Sequence, residues 1–446
     1  MYEIIIGRSP KDQRLLGTKG TILLGKHYVQ MERALSLANP IHLDINKPHA
    51  ILIAGKRGSG KSYTLGVIAE GIADLEPEIK QNISTIIFDT MGIYWSMKNP
   101  NLRDAKLSSE WKLEPKAADI TVYSPIGKFD EYQREGFPAD KPLAIKPNTM
   151  SAKEWSEIFK IDELSMASLL LERAIAIIKE DTPNFSLNQL MKSIKNDKDA
   201  DENDAKLILS KLRAIKKWGI FDEAGTNLIE LTDGGQTAII DLSPYAESDD
   251  GDMIRSLIIS HICNYVIRSR MSERRKEELK EISGEFGEKK APLLWILIDE
   301  AHEFLPREGS TLASGALRRI LKEGRQPGIS LILATQQPGK IDTDVMTQSD
   351  TVISHRLTSN MDLKALNEVM QSYLATDLQK NLDSLPRVGG SAIILDDTNE
   401  KIMQVQIRPR NSWHGGSNPK AIPNAMLKSL IEAVKEKGDV NQNKTI

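Results

Sequence analysis

Runs of consecutive apolar residues recur along the chain, and segments with apolar residues at helical spacing separate them. Unlike an alternating pattern, a continuous apolar run is typical of a parallel strand that is buried on both faces. The alternation of such strands with helices predicts an α/β layered fold with right-handed crossover connections. The predicted parallel strands lie at 49–55, 84–89, 120–124, 237–242, 293–299, 329–335 and 391–397.

The stretch from about residue 150 to residue 227 follows a helical pattern throughout. Its apolar residues recur every three to four positions, and polar turns join the segments. Ser151 and Ser186 come directly before two of these segments and are expected to cap their amino ends. We therefore predict an all-helical subdomain at 150–227, inserted between two parts of the α/β core at 48–149 and 228–410.

Three further stretches lie outside this scheme. Residues 1–47 are expected to form a short β segment, in which "GTILLGKHYV", ending at Val29, predicts a pair of strands. The charged stretch 272–291 indicates a solvated helix end followed by a flexible loop. A C-terminal tail with a helix is expected at 411–446.

The composition is that of a soluble globular protein. The chain has 446 residues, of which 40% are hydrophobic and 27% charged, and a net charge of −3 gives no global basic field. Its single cysteine, Cys263, excludes a disulfide framework and a cysteine-based metal site. No apolar run approaches the ~20 residues of a membrane span, and the start lacks the features of a signal peptide. A cytoplasmic location without a membrane partner is expected.

The segment "GKRGSGKSYTLG" at 55–66 fits the phosphate-binding pattern G-x-x-x-x-G-K-[ST] between a predicted strand and a predicted helix. The glycines let backbone N–H groups converge on phosphate oxygens, and the helix amino end adds its positive dipole end. Lys61 is expected to reach the β- and γ-phosphates, and the Ser62 hydroxyl to ligate Mg²⁺. ATP and Mg²⁺ are therefore the predicted cofactors. The predicted nucleotide-binding residues are Gly55, Lys56, Arg57, Gly58, Ser59, Gly60, Lys61, Ser62 and Tyr63.

Two further strand ends supply polar side chains for the same chemistry. The apolar run in "LLWILIDEAHEF" ends in Asp299 and Glu300. Asp299 is expected to hold the Mg²⁺ hydration shell, and Glu300 to orient and polarise a water for attack on the γ-phosphate. A glutamate in this position distinguishes a hydrolysing motor from a kinase, whose phosphoryl acceptor is a substrate hydroxyl instead of water. Gln336, at the end of the strand at 329–335, is expected to lie between the two carboxylates and the γ-phosphate and to sense hydrolysis.

Five stretches resemble, in order, the motifs of the HerA ATPases, within the HerA–FtsK class of P-loop translocases. The resemblance covers about residues 48–410 and includes the helical insertion. It implies a RecA-like core, a homo-hexameric ring and ATP-driven movement of double-stranded DNA through the pore. It also implies a partner nuclease, typically of the NurA type, in DNA end resection. The stretches are "HAILIAGKRGSGKSYTLGVIAEGI", "IIFDTMGIYW", "WILIDEAHEFLP", "LKEGRQPGISLILATQQP" and "DTVISHRLTSNMD".

The chain departs from the family pattern in two places. HerA proteins usually begin with a sizeable β-barrel, which docks the nuclease, and residues 1–47 are too short to form one. Thr90 and Met91 stand where the family often has Pro-His. We therefore expect a shortened N-terminal region, and another effector protein is an alternative to the nuclease as partner.

The resemblance also nominates basic residues. Arg325 matches the arginine of the family's E-G-R segment, and a ring motor usually completes its site with an arginine from the neighbouring subunit. Arg356 is the second candidate for this role. A translocase needs phosphate contacts but no base-reading motif, so basic loops are candidates for DNA binding. They carry Lys98, Arg103 and Lys106 after one strand, and Arg307, Arg318 and Arg319 after another.

Some of the same residues also fit other classes of ATPase. Asp299 to His302 spell the DEAH box of another helicase superfamily, but those helicases have two tandem RecA-like domains and this chain shows one P-loop core. We interpret His302 as a helix-start residue. An ATPase of an antiviral defence complex that regulates a partner effector stays open as an alternative. So does a conjugation-type DNA pump, although the chain shows neither a membrane segment nor a basic tail.

Overall fold

A long mixed β-sheet runs through the computed structural model, which describes residues 2–31, 34–284, 291–370, 382 and 384–416. The described strands form one 13-stranded sheet in the order β1-β3-β2-β13-β12-β11-β4-β10-β9-β5-β8-β6-β7. In chain order they are β1 (Ile4–Ile6), β2 (Thr21–Met31), β3 (Ala34–Asp44), β4 (Ala50–Ala54), β5 (Ile83–Asp89), β6 (Thr121–Pro125), β7 (Lys141–Leu143), β8 (Thr237–Asp241), β9 (Leu293–Ile298), β10 (Ile329–Thr335), β11 (Thr351–His355), β12 (Ser391–Asp396) and β13 (Lys401–Ile407).

Helices connect these strands and cover both faces of the sheet. Two large groups of buried apolar side chains, one on each face, form the core. The helices are α1 (Pro10–Leu16), α2 (Lys61–Ala73), α3 (Pro77–Lys80), α4 (Ala105–Glu110), α5 (Ile126–Glu135), α6 (Ala152–Phe159), α7 (Met166–Asp181), α8 (Leu187–Asn196), α9 (Glu202–Lys216), α10 (Leu228–Leu231), α11 (Gly251–Ser283), α12 (Ser314–Glu323), α13 (Thr343–Gln348) and α14 (Asn360–Met370).

The half of the sheet from β11 to β7 is parallel throughout. Every residue of β5, β8 and β10 is buried, as expected for strands with helices on both faces. The predicted α/β class with a mostly parallel sheet is therefore confirmed. One strand was assigned the wrong direction, because β12 runs antiparallel to both of its neighbours, β11 and β13.

Several strands do not follow the continuous apolar pattern and were not predicted. In β13 buried residues alternate with less buried ones, which is the pattern of a strand with one partly exposed face. β11 is completely buried but short, and its apolar residues are mixed with Thr351, Ser354 and His355. Polar residues inside a buried strand weaken the hydrophobic signal, although this strand lies directly beside β4.

The N-terminal segment continues the main sheet through a hairpin. β2 pairs with β3 and also with β13, so the hairpin extends the antiparallel half. The prediction of a strand pair ending at Val29 was wrong, because those residues form one strand whose partner is the following segment. Arg8 and Asp44, both buried, form an ion pair at 2.5 Å at the base of the hairpin.

Helices α6 to α9 form the insertion between β7 and β8. Ser151 and Ser186 each form a capping box at the start of α6 and α8, as predicted. The fully buried Trp155 packs against Phe221 at a ring distance of 5.3 Å and ties the insertion to the chain that returns to the sheet. Because β7 is the edge strand, the insertion leaves the parallel sheet at its far side.

The charged stretch at 272–291 begins as the predicted helix end, because α11 continues to Ser283. Residues 285–290 of this stretch lie outside the described ranges. The chain divides into a unit at 1–414 and a unit at 415–446, and the helix predicted for the tail falls outside the described residues of the second unit. None of the helices in the described ranges is long and apolar enough to cross a lipid bilayer.

Candidate nucleotide-binding and hydrolysis site

Polar side chains collect at the carboxyl edge of the parallel strands. The P-loop follows β4, Asp299 and Glu300 follow β9, and Gln336 follows β10. These three strands are direct neighbours in the sheet, in the order β4, β10, β9. The fold therefore brings together segments that are far apart in the sequence, as ligand sites in open α/β sheets require.

The P-loop has the conformation that only glycine adopts readily. Gly58 and Gly60 have φ angles of +73° and +117°, and Gly60 leads directly into α2. A Cβ on Gly55 would lie 2.5 Å from the Ser59 hydroxyl and 2.7 Å from the His355 Cβ. The loop backbone therefore packs directly against β11, and its N–H groups lie at the amino end of α2, where an anion is favoured.

Lys61 is the buried cation of this loop. Lys61 is 6% exposed, and its Nζ donates to the Lys56 carbonyl at 3.3 Å. Burial lowers the pKa of Lys61, while Glu300 and Asp299 act in the opposite direction. The Ser59 hydroxyl is buried without a hydrogen-bond partner among the described residues. A phosphate group suits this cradle, because it offers acceptors to both side chains.

His355 fixes the P-loop from the side. It is completely buried, with Nε2 2.9 Å from the Thr64 hydroxyl of α2 and Nδ1 3.1 Å from the Ser391 carbonyl of β12. Burial lowers its pKa to about 4, so the ring is neutral, with Nδ1–H donating to Ser391 and Nε2 accepting from Thr64. Sequence reasoning missed His355. The one feature that could have indicated it is a histidine at the end of a buried strand.

Tyr94 joins the P-loop to the carboxylate strand. Its hydroxyl lies 3.1 Å from Asp299 Oδ2 and 3.2 Å from the Ser62 carbonyl, and its backbone N–H donates to Asp89 at 2.8 Å. Both Tyr94 and Asp299 are buried. The Tyr94 hydroxyl therefore lies between Asp299 and the backbone of Ser62, and it donates its one proton to the closer acceptor, Asp299. Tyr94 lies in the segment "IIFDTMGIYW", but nothing in the sequence pattern indicated a role for it.

Glu300 has an unusual backbone conformation and one carboxylate oxygen without a hydrogen bond. Its φ and ψ angles are 50° and 42°, a left-handed conformation that is rare outside glycine and typical of functional sites. Its Oε2 atom is buried without a hydrogen-bond partner among the described residues. Burial and the neighbouring Asp299 raise its pKa to about 7. A carboxylate held in this way can accept a hydrogen bond from a water.

The end of β10 lies against this carboxylate. The backbone N–H of Gln336 lowers the pKa of Glu300, and the Gln336 side chain is half-buried at the site. His302, in a short 3₁₀ helix after Glu300, lies 3.2 Å from the Thr335 hydroxyl and 3.6 Å from Glu300 Oε2. His302 therefore starts a helical turn, as predicted, and also contacts β10, which was not predicted.

The structure places the Tyr63 side chain away from the cradle. Its hydroxyl accepts the Arg410 backbone N–H at 2.7 Å, and its ring meets His414 edge-on at 5.3 Å. Nearby, Glu70 of α2 pairs with Arg408 at 2.6 Å. Burial raises the pKa of Glu70, but Arg408 and Arg410 together hold it below the usual value. The segment after β13 thus braces the outer face of the P-loop helix, and the Tyr63 side chain belongs to that contact.

The two candidate arginines lie at opposite edges of the sheet. Arg325 is in the loop between α12 and β10, before the amino end of β10. Arg356 follows β11 directly, and its carbonyl accepts the Lys56 N–H of the P-loop at 3.0 Å. Both side chains are exposed. Arg356 therefore lies beside the P-loop of its own chain, and Arg325 does not.

The basic residues nominated for DNA contact are mostly engaged within the chain. Arg103 packs over the Trp413 ring at 5.0 Å, while Lys106 and Arg307 are exposed. The other three pair with carboxylates: Lys98 with Asp140, Arg318 with Asp342 at 2.7 Å and Arg319 with Glu323 at 2.9 Å.

The residues present suit a nucleotide with a divalent cation. Among the described residues, no three His, Cys, Asp or Glu side chains cluster to form a metal site by themselves. Mg²⁺ is commonly held by one or two protein ligands together with phosphate oxygens and waters. The Ser62 hydroxyl and the Asp299 carboxylate are oxygen groups of the kind that Mg²⁺ prefers, so the residues present fit the predicted ion.

The description "Helicase HerA, central domain" belongs to the family model that matches residues 24–266 of this chain. The chain belongs to the HerA family. It is an ATPase of the P-loop class, and the HerA family match covers β4 with the P-loop, the helical insertion and part of α11.

Relatives of the HerA family match most of the chain. It is 25% identical over 409 residues to "DNA double-strand break repair helicase HerA" of Sulfurisphaera tokodaii, which covers 87% of this chain and 70% of that protein. The protein of the same name from Pyrococcus furiosus is 24% identical over 378 residues, which covers 80% of this chain and 64% of that protein. The chain thus spans about two thirds of these relatives.

Two solved structures have a similar fold. VirB4 of Thermoanaerobacter pseudethanolicus superposes with a TM-score of 0.53 at 15% identity and covers 88% of this chain and 97% of its own. The bacterial conjugative coupling protein TrwB superposes with a TM-score of 0.50 at 14% identity, with coverages of 89% and 96%. At such identities the similarity shows the shared fold alone.

Proposed function

We propose that this HerA-family ATPase couples ATP hydrolysis to movement along double-stranded DNA. The meeting of the P-loop, Asp299 and Glu300 at one sheet edge is the observation that carries the hydrolytic part. The named HerA helicases of DNA double-strand break repair, similar over most of the chain, support the DNA part.

In this proposal the P-loop binds the phosphates of ATP. The backbone N–H groups of residues 55–60 and the amino end of α2 hold the phosphate oxygens, and the buried Lys61 reaches the β- and γ-phosphates. His355 keeps the loop in place through Thr64. Mg²⁺, bound by Ser62 and Asp299, would neutralise charge that develops on the phosphates during hydrolysis. Tyr94 orients Asp299 for this role.

Glu300 then orients the attacking water. The buried, unpaired Oε2 atom accepts a hydrogen bond from the water and polarises it towards the γ-phosphate. Gln336 lies at the end of the strand between the P-loop strand and the Glu300 strand. A side chain in that position contacts the γ-phosphate before hydrolysis and loses the contact afterwards, so Gln336 is a sensor of the nucleotide state.

The ring is the second part of the proposal. Arg325 lies at the edge of the sheet away from its own P-loop, so it serves a site only if another subunit presents that site. A homo-hexamer, in which each site lies between two subunits, satisfies this requirement. Arg356, beside the P-loop of its own chain, is the alternative and would act within the subunit.

DNA translocation is tested by ATPase and displacement assays on the purified protein. We expect ATP hydrolysis to rise with mixed-sequence duplex DNA, or with duplex and the co-purifying partner together. We also expect a triplex-forming strand to be displaced from a duplex in an ATP-dependent manner. Glu300→Gln is the matched control and should bind ATP without displacing the strand. The proposal would be contradicted if neither duplex DNA nor the partner changed the rate of ATP hydrolysis and no strand were displaced.

We further propose that the ring works with a separate nuclease in DNA end processing. Mass spectrometry of the native complex identifies the partner. A co-purifying nuclease supports end processing, whereas an effector without nuclease activity favours the defence-complex alternative, and a membrane secretion protein favours the conjugation-type pump.

A further inference from the structure

The helical insertion carries a basic groove between α8 and α9. The groove encloses about 660 Å³ and is lined by Asn188, Met191 and five cationic side chains. These five, here called the groove cations, are all exposed: Lys192, Lys195, Arg213, Lys216 and Lys217. No carboxylate lines the groove, so within the described part of the chain this is a surface of one charge sign.

The groove cations lack acidic partners. Within the described residues none of the five forms an ion pair, and Lys216 donates to the neutral Asn188 side chain at 3.0 Å. Nearby carboxylates are used elsewhere, since Asp197 pairs with Arg173 at 2.7 Å and Asp201 caps α9. Unpaired like charges repel one another, so an anionic occupant would be attracted to this groove.

The dimensions of the groove suit a polyanion with regularly spaced charges. α8 has ten residues and is therefore about 15 Å long at ~1.5 Å per residue. The lining residues of α8 run from Asn188 to Lys195, which is about 10 Å of helix, and the contact between Lys216 and Asn188 places the end of α9 beside the start of α8. A duplex of DNA carries one charge per ~1.7 Å of its axis and presents about six charges over that distance, close to the number of groove cations.

The insertion also begins at the carboxyl ends of the parallel strands, where the candidate nucleotide site lies. It begins after the carboxyl end of β7, and the carboxyl ends of the parallel strands share one edge. β7 lies six strands from β4, roughly 30 Å at ~4.8 Å per strand. By contrast, three of the loop residues that the sequence nominated for DNA contact already pair with carboxylates.

We propose that the groove between α8 and α9 binds the phosphate backbone of double-stranded DNA. This inference rests on the proposed DNA translocase function and adds a contact surface to it. The groove offers charge and no base-reading motif, so binding is independent of sequence and sensitive to salt.

The test uses the variant Lys192→Gln/Arg213→Gln/Lys217→Gln in the full chain. It removes three groove cations and keeps Lys216, which bonds to Asn188. Binding to a mixed-sequence duplex is measured by fluorescence anisotropy at several salt concentrations. Each lost phosphate contact lowers the slope of log K against log salt by about 0.9, so we expect the slope to fall by about two to three. ATPase activity without DNA should stay at the wild-type level.

The matched control is Lys153→Gln/Lys206→Gln. It removes cations of the same insertion that already pair with Glu163 and Glu202, and it should keep the wild-type slope. The groove proposal is overturned if the triple variant binds duplex DNA with wild-type affinity and wild-type salt slope. If that variant also loses a co-purifying acidic protein, the groove is a protein-binding surface instead. A wild-type protein that binds no duplex, alone or with its partner, defeats the proposed function itself.

Discussion

Arg325 offers a sharp test of whether the catalytic site is shared between subunits. It precedes the amino end of β10, whereas the nucleotide site lies at the carboxyl end. β10 has seven residues and is therefore about 23 Å long at ~3.3 Å per residue. An arginine side chain cannot span that distance, so Arg325 can stabilise the transition state only at the site of a neighbouring subunit.

The perturbation is Arg325→Ala, with Gln326→Ala as the control at the adjacent exposed position. Arginine fingers supply about 10³–10⁵ in rate, which corresponds to about 4–7 kcal/mol of the barrier. We expect Arg325→Ala to bind ATP at near wild-type affinity and to lose that factor in kcat. Gln326→Ala should hydrolyse ATP at the wild-type rate, because the substitution leaves the guanidinium in place.

Mixing two inactive variants then shows which subunit supplies the arginine. Glu300→Gln and Arg325→Ala are combined in equal amounts under conditions where subunit exchange is demonstrated. If the finger acts across the interface, about a quarter of the interfaces in a random ring join an intact Glu300 to an intact Arg325. The mixture should recover up to that fraction of wild-type activity if the sites act independently.

Arg356 gives the opposite expectation, because it lies beside its own P-loop. A mixture of Glu300→Gln and Arg356→Ala should stay inactive if Arg356 acts within its subunit, since every site then lacks one group. Recovery with Arg356→Ala, together with no recovery with Arg325→Ala despite exchange, would refute the assignment of Arg325.

Three further predictions concern positioning and stability. Tyr94→Phe removes the hydroxyl that holds Asp299 and should weaken Mg²⁺ binding about 10–100-fold in an equilibrium titration with ATP present. Tyr123→Phe changes a buried tyrosine outside the site and should leave Mg²⁺ binding unchanged. His49 is buried, but Asp350 and Asp44 raise its pKa to about 9. The charged His49 should therefore stabilise the folded state by about 3 kcal/mol, fully below pH ~6.5 and less and less as the pH rises through about 9. The free energy of urea unfolding should show this decline for the wild type and not for His49→Gln. Ser186→Ala should lower the unfolding free energy by about 1 kcal/mol, and an unchanged midpoint would show that the capping box contributes nothing.

The parallel half of the sheet was predictable because its strands are continuously apolar. The P-loop and the end of β9 could also be identified as candidate site segments, since the chemistry proposed for them requires particular residues in a fixed order. The direction of β12 was not readable, because strands buried on both faces have the same pattern in parallel and antiparallel pairing. β13 was missed since one of its faces is partly exposed and its pattern alternates.

The residues that support the site were the hardest to find in the sequence. Tyr94 and His355 act through contacts with residues distant in the sequence, Asp299 and Thr64, and only the folded sheet brings these pairs together. Tyr63, by contrast, belongs to the P-loop segment by position, but the packing of the segment after β13 turns its side chain to Arg410. Motif position indicates a candidate nucleotide-binding segment, and packing decides which of its side chains face the cradle.

The most direct test of the account is a paired measurement on Glu300→Gln. Equilibrium binding of ATP and steady-state hydrolysis are measured on the same preparation, with and without duplex DNA. The substitution keeps the size of the side chain and removes the carboxylate that accepts the hydrogen bond from water. We predict ATP affinity close to that of the wild type and hydrolysis reduced by at least about 10² under both conditions. Hydrolysis at the wild-type rate would contradict the assignment of this sheet edge as the catalytic site.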